Sequence, residues 1–322
     1  MSGIRQFVER HYHHFNASEF KRAARSYVEL IEEKKGKMFV TLAGAMSSAR
    51  IGISLAQAIR QGKVHAICST GANLEEDVYR LVAHSSYENV PNWRQLTNEM
   101  EQEFLDRHAA RVADTLIPEE EAMKRISREL IPRWWAAKKA GERKFPHEFL
   151  IDSLEDLKPY DAPEEDSWLL AAAEMKIPIF VPGWEDSTSG NMFAGMVIKD
   201  GMDPLVVKGG IEYMKELADW FRAESAAQPL GYFQIGGGIT GDFAICVAPM
   251  LRYDAEEENT PHWSYFAQIS DSTPSYGSYS GALPGEKISW GKCEKETQVF
   301  MIESDASIVA PLMFEYVLDE PN

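Results

Sequence analysis

Short apolar runs alternate along most of this chain with longer segments in which apolar residues recur at helical spacing. The first run is Lys37–Ala43 (KMFVTLA), a helical stretch follows from about Ser47 to Gly62, and Val64–Ser69 is the second run. Short apolar runs bounded by turn residues are typical of buried strands, whereas apolar residues at every third or fourth position indicate helices. Their alternation with short connections predicts a parallel sheet with helices on its faces.

The same alternation continues towards the C-terminus. The predicted strands are 37–43, 64–69, 177–181, 231–235, 263–269 and 298–302, and the predicted helices are 47–62, 75–83, 190–198, 210–223, 239–251 and 306–317. We therefore expect an α/β protein with a Rossmann-like, doubly wound, mostly parallel sheet. We expect residues 1–322 to form a single domain of this kind.

Two segments depart from the alternation. In the N-terminal helical segment, residues 1–36, Asn16-Ala17-Ser18-Glu19 has the form of a capping box that opens a helix ending near Glu33. Residues 92–158 are charged and helix-forming, with scattered aromatic side chains such as Trp134 and Trp135. We interpret residues 92–158 as a helical insertion that packs against the sheet, not as a separate domain.

Composition and charge narrow the classes of function. The 322 residues include 50 acidic and 33 basic side chains, and the formal net charge is −17. Such a charge repels nucleic acid and anionic membranes and permits a cationic ligand such as a polyamine, although ordinary solubility charge explains it as well. No apolar run is long enough to predict a transmembrane helix, and the N-terminus lacks the apolar core of a signal peptide.

The cysteines point to a reducing compartment. Cys68, Cys246 and Cys293 are odd in number and widely spaced. They fit neither a disulfide framework nor the ligand spacing of a zinc site. We expect a cytoplasmic protein without a metal site.

Five predicted strands are followed by residues suited to holding a ligand. These segments are 43–48 (AGAMSS), 69–77 (STGANLEED), 182–191 (PGWEDSTSGN), 236–238 (GGG) and 303–306 (ESDA). The carboxyl ends of parallel strands share one edge of a sheet, where glycines, hydroxyl groups and helix N-termini hold pyrophosphate and acids hold ribose. Each segment alone is also an ordinary turn, and Glu75–Asp77 is also a first helical turn that complements the helix dipole. The five together favour a dinucleotide site.

One lysine near the C-terminus is the candidate for covalent chemistry. Lys292 closes the run 286–292 (EKISWGK), next to Trp290 and Gly291, and precedes the last predicted strand. A desolvated lysine loses its proton more readily, and its neutral amine forms an imine with a carbonyl compound or with another imine. The alternative is a solvent-exposed loop lysine without a chemical role.

Five motifs resemble those of one enzyme family. TGANLEED (70–77), EDSTSGNM (185–192), IGGG (235–238), EKISWGK (286–292) and SDAS (304–307) occur in this order, and RVADTLIP (111–118) adds to them. Together they resemble deoxyhypusine synthase from about residue 37 to the C-terminus. The resemblance implies a Rossmann-like sheet and a homotetramer, built as a dimer of dimers, with active sites at a dimer interface.

The resemblance also implies a reaction. Enzymes of this family bind NAD, oxidise spermidine and cleave it to diaminopropane. The remaining butylimine passes to an active-site lysine and then to an acceptor lysine of a translation factor, and the bound NADH reduces the product. In this chain Lys292 would carry the imine, Trp290 would lie against the polyamine, and Glu286 would bind a substrate ammonium group. The implied NAD-binding residues are Thr70, Gly71, Glu76, Asp186, Gly237, Asp305 and Ala306.

The polyamine half of the pattern departs from the family. Asn191 stands where the family has a polyamine-binding aspartate, and Gly241-Asp242-Phe243 stands where it has a histidine pair that supplies a base. Ser275–Ser280 is uncharged where the family has an acidic run, and Gly44-Ala45-Met46 lacks the family's serine–asparagine pair. We expect intact NAD binding and a rebuilt polyamine pocket that includes Asn191 and Asp242. Lys287 is expected to be dispensable.

Three functions are compatible with these residues. The first is an NAD-dependent aminobutyl transferase whose acceptor is a small diamine, as in homospermidine synthesis from putrescine. The second is a true deoxyhypusine synthase in which Asp242 or Glu303 replaces the missing charges. The third is a non-catalytic NAD- or polyamine-binding protein; the retained Lys292 argues against it, because binding alone does not need that lysine.

Overall fold

The computed structural model describes residues 3–272, 277 and 279–319. The strands are β1 (Lys37–Leu42), β2 (Ala66–Ser69), β3 (Glu88–Asn89), β4 (Ala109–Val112), β5 (Thr115–Pro118), β6 (Ile179–Phe180), β7 (Leu230–Ile235), β8 (Trp263–Ser270) and β9 (Cys293–Glu303). The helices are α1 (Ile4–His11), α2 (Phe15–Val28), α3 (Gly52–Arg60), α4 (Gly71–Ala83), α5 (Asn98–Asp106), α6 (Arg125–Ala140), α7 (Pro146–Ser153), α8 (Trp168–Met175), α9 (Thr188–Asp200), α10 (Gly210–Ser225), α11 (Gly238–Ile245), α12 (Val247–Pro249), α13 (Pro284–Ser289) and α14 (Ala306–Leu318). Among the described residues, no helix combines the length and apolarity that crossing a membrane requires.

Six strands form one parallel sheet in the order β6-β2-β1-β7-β8-β9. The direction in which the chain adds strands reverses between β1 and β7. In a doubly wound sheet the connections at such a reversal leave in opposite directions and open a crevice at the carboxyl ends of the strands. The predicted α/β class and parallel sheet are confirmed.

Apart from the edge strand β9, which is largely exposed, the strands of the sheet are almost wholly buried on both faces, which explains why they read as continuous apolar runs instead of alternating ones. All six residues of β7 are buried. Phe39 of β1 stacks on Tyr232 of β7 at 5.6 Å between ring centroids, and Tyr232 stacks on Phe266 of β8 at 6.1 Å. This aromatic row fixes β1, β7 and β8 relative to one another and so positions the loops at their carboxyl ends.

Two helix starts differ from the prediction. The capping box at Asn16 is wrong, because α2 begins at Phe15 without a capping side chain. The Asn16 amide instead donates to the carbonyl of Glu303 at 2.7 Å. Helix α4 begins at Gly71 and not at Glu75, since the Thr70 hydroxyl accepts the Asn73 N–H at 3.0 Å and caps it. The acids of 75–77 are therefore not in the first helical turn, and their interpretation as complements of their own helix dipole is wrong.

The insertion is not wholly helical. It contains α5, α6 and α7, but β3, β5 and β4 form a three-stranded antiparallel sheet within and beside it. The motif at 111–118 forms most of the β4–β5 hairpin. Trp134 of α6 is buried against Trp184 and Phe193, with ring centroids 6.3 and 5.1 Å away. The insertion thus packs on α9, and its assignment to the same domain as the sheet stays a prediction.

Candidate active site

The loops at the carboxyl edge of the sheet approach one another closely. The Thr70 hydroxyl, after β2, donates to the carbonyl of Gly44, after β1, at 2.8 Å. A Cβ added at Gly71 would lie 2.7 Å from Cβ of Ser187, in the loop after β6. A Cβ at Gly236, after β7, would lie 2.8 Å from Cβ of Ala43. Small residues are therefore required where these loops meet, and this edge carries most of the predicted cofactor residues.

Helix N-termini converge on the same edge, and most of them are capped from within the chain. Thr70 caps α4, Ser187 and the Glu75 carboxylate cap α9, and Asp305 caps α14. Helix α11 has Gly237 as its N-cap and no capping side chain at that position; among the described residues, the Gly238 N–H donates to Ser280 Oγ at 3.2 Å. The first turn of α11 is thus the place where backbone donors and the helix dipole are most available to an anion.

Two glycines leave space at this edge. Gly44 and Gly238 have φ values of +60° and +64°, and a Cβ at either would meet no atom within 4 Å. A left-handed conformation with open space beside it lets a ligand approach the backbone. Gly237 has a different reason for lacking a side chain, because a Cβ there would lie 1.8 Å from Ser280 Oγ. The residues present fit a dinucleotide pyrophosphate near the start of α11.

Three consecutive acids of α4 are buried and have separate partners. Glu75 accepts the N–H groups of Thr188 and Ser189, both at 2.8 Å, and so stabilises the start of α9. Asp77 accepts the Ser167 hydroxyl at 2.5 Å, and burial raises its pKa to about 6. Glu76 accepts the Ser48 hydroxyl at 2.7 Å, and burial raises its pKa to about 7.

Lys292 lies at the base of a cleft of about 290 Å³. The cleft is lined by Asp242, Cys246, Gly277, Tyr279, Ala282, Glu286, Lys287, Trp290 and Lys292. Lys292 is 6% exposed and immediately precedes β9, as predicted, although β9 begins five residues earlier than expected. Its Nζ donates to Oδ1 of Asp242, from α11, at 2.7 Å. The predicted catalytic lysine is therefore buried, and it is held as one half of an ion pair.

Tyr279 and Ser280 join the cleft to the carboxyl edge of the sheet. The Tyr279 ring centroid lies 5.1 Å from Lys292 Nζ, and its hydroxyl donates to Gln234 of β7 at 3.3 Å. The next residue, Ser280, receives the Gly238 N–H and also accepts the Gln268 amide at its carbonyl at 2.8 Å. The lysine cleft and the start of α11 therefore share one short segment of chain as a common wall.

The mouth of the cleft is formed by Glu286 and Trp290. Both side chains are exposed, and Trp290 has 69% of its surface accessible. Gly291, with a φ of +67°, makes the turn from α13 into β9, and a Cβ there would lie 2.8 Å from the Tyr253 ring. An exposed indole beside a carboxylate offers the contacts that an alkylammonium chain requires.

Lys287 lines the cleft, a position that the sequence did not indicate; its predicted dispensability stays untested. It is 2% exposed and lines the same cleft, so it is not a peripheral lysine of the run. Burial lowers its pKa to about 8. The pattern conceals this, because the six-residue helix α13 buries Lys287 while leaving Ile288 40% exposed. In α13 the lysine is buried and the neighbouring isoleucine is exposed, which is the reverse of the usual arrangement.

Other predicted residues lie outside the cleft. Asn191, in the first turn of α9, donates to the carbonyls of Ser187 and Glu185 at 2.7 and 3.0 Å and does not line the cleft. Glu303, considered as a substitute charge, lies at the far end of β9 and is also absent from the lining. Asp186 is exposed after β6. Ser275, Tyr276 and Ser278 of the uncharged run lie outside the described residues.

Comparison with known proteins decides the family. The model of the deoxyhypusine synthase family matches residues 8–317. This chain belongs to that family. It is 24% identical to the deoxyhypusine synthase-like protein of Thermosynechococcus vestitus, over 98% of this chain and 78% of the relative. It is 25% identical to "Probable deoxyhypusine synthase 2" of Methanosarcina acetivorans, over 93% of this chain and 81% of the relative.

A solved structure of the family shares the fold. The crystal structure of a "putative deoxyhypusine synthase" from Entamoeba histolytica superposes with a TM-score of 0.60, covering 98% of this chain and 93% of the other. The identity between the two is 12%. Such a distance shows the common fold alone, and the roles of individual residues rest on the geometry described above.

Proposed function

We propose that this protein is an NAD-dependent transferase that moves an aminobutyl group from a polyamine, through an imine on Lys292, to a small diamine. The observation that carries this proposal is the position of the Lys292 amine. It is buried beside Asp242 in a cleft that shares the Tyr279–Ser280 wall with the start of α11. Substrate carbon atoms in the cleft would thus lie next to the edge that fits a dinucleotide.

Asp242 has a chemical reason to be paired with Lys292. The imine that accepts an amine is its protonated, cationic form, and a carboxylate at 2.7 Å stabilises that cation as it stabilises the resting ammonium. Lys292 must lose a proton before it attacks an imine carbon, since only the neutral amine is nucleophilic. Asp242 therefore acts here as a counter-ion to the lysine and not as a free site for a substrate ammonium group.

The remaining charge of the cleft limits the substrate. Glu286, at the mouth, is the lining carboxylate other than Asp242, and Trp290 and Tyr279 supply aromatic faces for a methylene chain. With Asn191, which a partner chain would bring to the cleft, in place of an acid, a shared site would hold fewer carboxylates than the family pattern implies. Fewer carboxylates favour a small diamine acceptor.

NAD would be held by the predicted cofactor residues, with its pyrophosphate at the first turn of α11 and a ribose at the Glu76 carboxylate. When bound, NAD accepts a hydride from the carbon next to an amine nitrogen and later returns it. Thr70, Gly71, Asp186, Gly237, Asp305 and Ala306 are the other residues proposed to line it. Thr70 and Asp305 cap α4 and α14 at the same edge, which supports this placement.

The proposed assembly is a homotetramer, a dimer of dimers with shared sites. Within one chain, Asn191 and Asp186 stay outside the Lys292 cleft. A partner chain would bring such residues to the cleft. Ile198 of α9 and Ile211 of α10 are 86% and 88% exposed, and Ile308 of α14 is 70% exposed. Exposed branched apolar side chains of this kind are suited to burial against a second chain.

A true deoxyhypusine synthase is the second candidate. The exposure of Trp290 at the mouth favours it, because an open mouth admits a lysine presented by a protein as well as a free diamine. A single assay separates the candidates: release of diaminopropane from spermidine and NAD, measured alone, with putrescine, and with a translation factor that carries an acceptor lysine.

The proposal predicts that putrescine accelerates turnover and is converted to homospermidine, whereas the translation factor remains unmodified. Modification of the factor without a putrescine product would select the second candidate. Binding of spermidine or NAD without release of diaminopropane under any condition would make the protein a non-catalytic binder. Lys292→Ala serves as the control, since it should lose transfer to every acceptor.

A further inference from the structure

Lys287 is the second amine of the cleft, and no role is assigned to it. Its Nζ lies 4.1 Å from the centroid of the Tyr279 ring and 5.6 Å from that of Phe266. Both lysines of the cleft thus face the same tyrosine, since Lys292 Nζ lies 5.1 Å from its centroid. Unlike the Lys292 amine, which is paired with Asp242, the Lys287 Nζ has no hydrogen-bond or ion-pair partner among the described residues. A buried ammonium group without a carboxylate partner is costly.

The surroundings of Lys287 decide its protonation. The titratable groups that face it are Lys292, Asp242, Glu286, Tyr279 and Cys293. Burial has the largest effect and lowers the pKa of Lys287, and the charge of Lys292 lowers it further. Asp242, Glu286 and Cys293 raise it, and the resulting pKa of Lys287 is about 8. Burial raises the pKa of Cys293 to about 12 and raises that of Tyr279, so both stay neutral near pH 8. Lys287 is therefore mostly protonated at pH 7 and increasingly a neutral amine as the pH rises through about 8.

The proposed reaction needs such a group. Amines of a polyamine are protonated at neutral pH, and a carbon can lose a hydride only when the adjacent nitrogen offers a free electron pair. The acceptor nitrogen must likewise be neutral before it attacks the imine. Asp242 is already paired with Lys292, and Glu286 is exposed at the mouth. Cys246 also lines the cleft, but its thiol stays protonated because burial raises its pKa.

We propose that Lys287 is the proton acceptor of the cleft. The proton of the substrate N–H bond moves to Lys287 Nζ, the substrate nitrogen keeps the electron pair, and Lys287 becomes an ammonium ion over the Tyr279 ring. The ring face stabilises the Lys287 ammonium ion. The charge of the neighbouring Lys292 opposes it and keeps the pKa of Lys287 low, so Lys287 can return the proton when product forms. This inference rests on the proposed transferase function and adds a catalytic residue to it.

The test is the pH dependence of diaminopropane release by the full-length protein with spermidine and NAD. In the wild type, kcat should rise with pH through about 8, as Lys287 loses its proton. Lys287→Met should lower kcat on the order of 10²- to 10⁴-fold, which is the usual contribution of a general base. It should also abolish the rise of kcat with pH, which we call the pH limb. Lys287→Arg should be equally impaired, because arginine stays protonated.

Lys295→Met is the matched control, since the Lys295 side chain is 84% exposed on β9 and should leave both kcat and the limb unchanged. A readout without turnover is 13C NMR of protein labelled at lysine Cε. One resonance should titrate near pH 8 in the wild type and be missing in Lys287→Met.

The outcomes separate the two proposals. A Lys287→Met variant with near wild-type kcat and an unchanged pH limb would overturn the role of Lys287 alone. A loss of kcat with the limb retained would also overturn it, since that result describes a structural residue. Absence of polyamine-dependent release in the wild type would overturn the transferase function, and with it the base, whatever the NMR titration shows.

Discussion

Glu76 provides a sharp test of the electrostatics at the carboxyl edge of the sheet. Its carboxyl is buried on α4, and burial raises its pKa from 4.5 to about 7, against the opposing effect of the Ser48 hydroxyl at 2.7 Å. At neutral pH the folded protein thus holds a buried negative charge that the unfolded chain carries at little cost. Glu76→Gln keeps the shape and an acceptor oxygen for Ser48 while removing the charge.

The size of the effect follows from linkage. The folded state binds the proton more tightly than the unfolded state, so stability is lost as the pH rises from 4.5 through about 7. With about 1.4 kcal/mol for each pKa unit, the carboxylate costs roughly 3 kcal/mol at pH 7 and almost nothing below pH 4. Glu76→Gln should therefore raise the free energy of unfolding by up to about 3 kcal/mol at pH 7, which corresponds to a Tm higher by about 4 °C.

Thermal unfolding of the wild type and the variant between pH 4 and pH 8 measures this directly. Glu75→Gln is the matched control, because Glu75 accepts two backbone N–H groups at the start of α9. Losing one of those acceptors should lower stability by about 1 kcal/mol. The reasoning is refuted if Glu76→Gln is no more stable than the wild type at pH 7, or if its advantage persists unchanged at pH 4.

Three further predictions concern ligands and assembly. Added NAD should raise the Tm by mass action, and Asp305→Ala should remove most of that shift; no shift at millimolar NAD would exclude the cofactor. Asn191→Asp should tighten spermidine binding by roughly 1.5–3 kcal/mol if residue 191 of a partner chain meets the polyamine, and calorimetry showing unchanged affinity would place the substrate elsewhere. The protein should sediment as a dimer or tetramer at micromolar concentration, and a strictly monomeric active enzyme would contradict a shared site.

The pattern of apolar residues predicted the central sheet because both faces of its strands other than the edge strand β9 are covered. Its strands therefore read as short continuous apolar runs, as Leu230–Ile235 does. Helix starts were less predictable, because tertiary contacts decide them. Asn16 has the side chain of a cap but binds the backbone of Glu303, 287 residues away. Glu75 lies five residues after Thr70, which caps α4, yet its carboxylate stabilises the start of a different helix, α9.

The β4–β5 hairpin gave no turn signal in the sequence. Its turn places Ala113 at a φ of +49°, a conformation in which glycine or asparagine is usual, and Asp114 follows without a glycine. Charged residues on either side made the segment resemble the helices around it. The sequence of the insertion therefore predicted its helices but not its antiparallel sheet.

The sequence predicted single residues of the candidate site but not which of them pair with one another. Lys292 and Trp290 were identified within a single motif, whereas the ion pair between Lys292 and Asp242 joins residues 50 positions apart. The burial of Lys287 was not predicted, because a helix of six residues is too short to show an amphipathic period. Only the fold reveals that Lys287 and Lys292 face one tyrosine ring.

Borohydride trapping tests the central claim most directly. Borohydride reduces an imine to a stable secondary amine, so protein incubated with spermidine and NAD and then reduced should carry one aminobutyl group, located on Lys292 by peptide mass spectrometry. Lys292→Arg should carry none and should lose transfer to any acceptor, because arginine stays protonated and forms no imine. An adduct on Lys287 instead, or a Lys292→Arg variant that still transfers the aminobutyl group, would contradict the account.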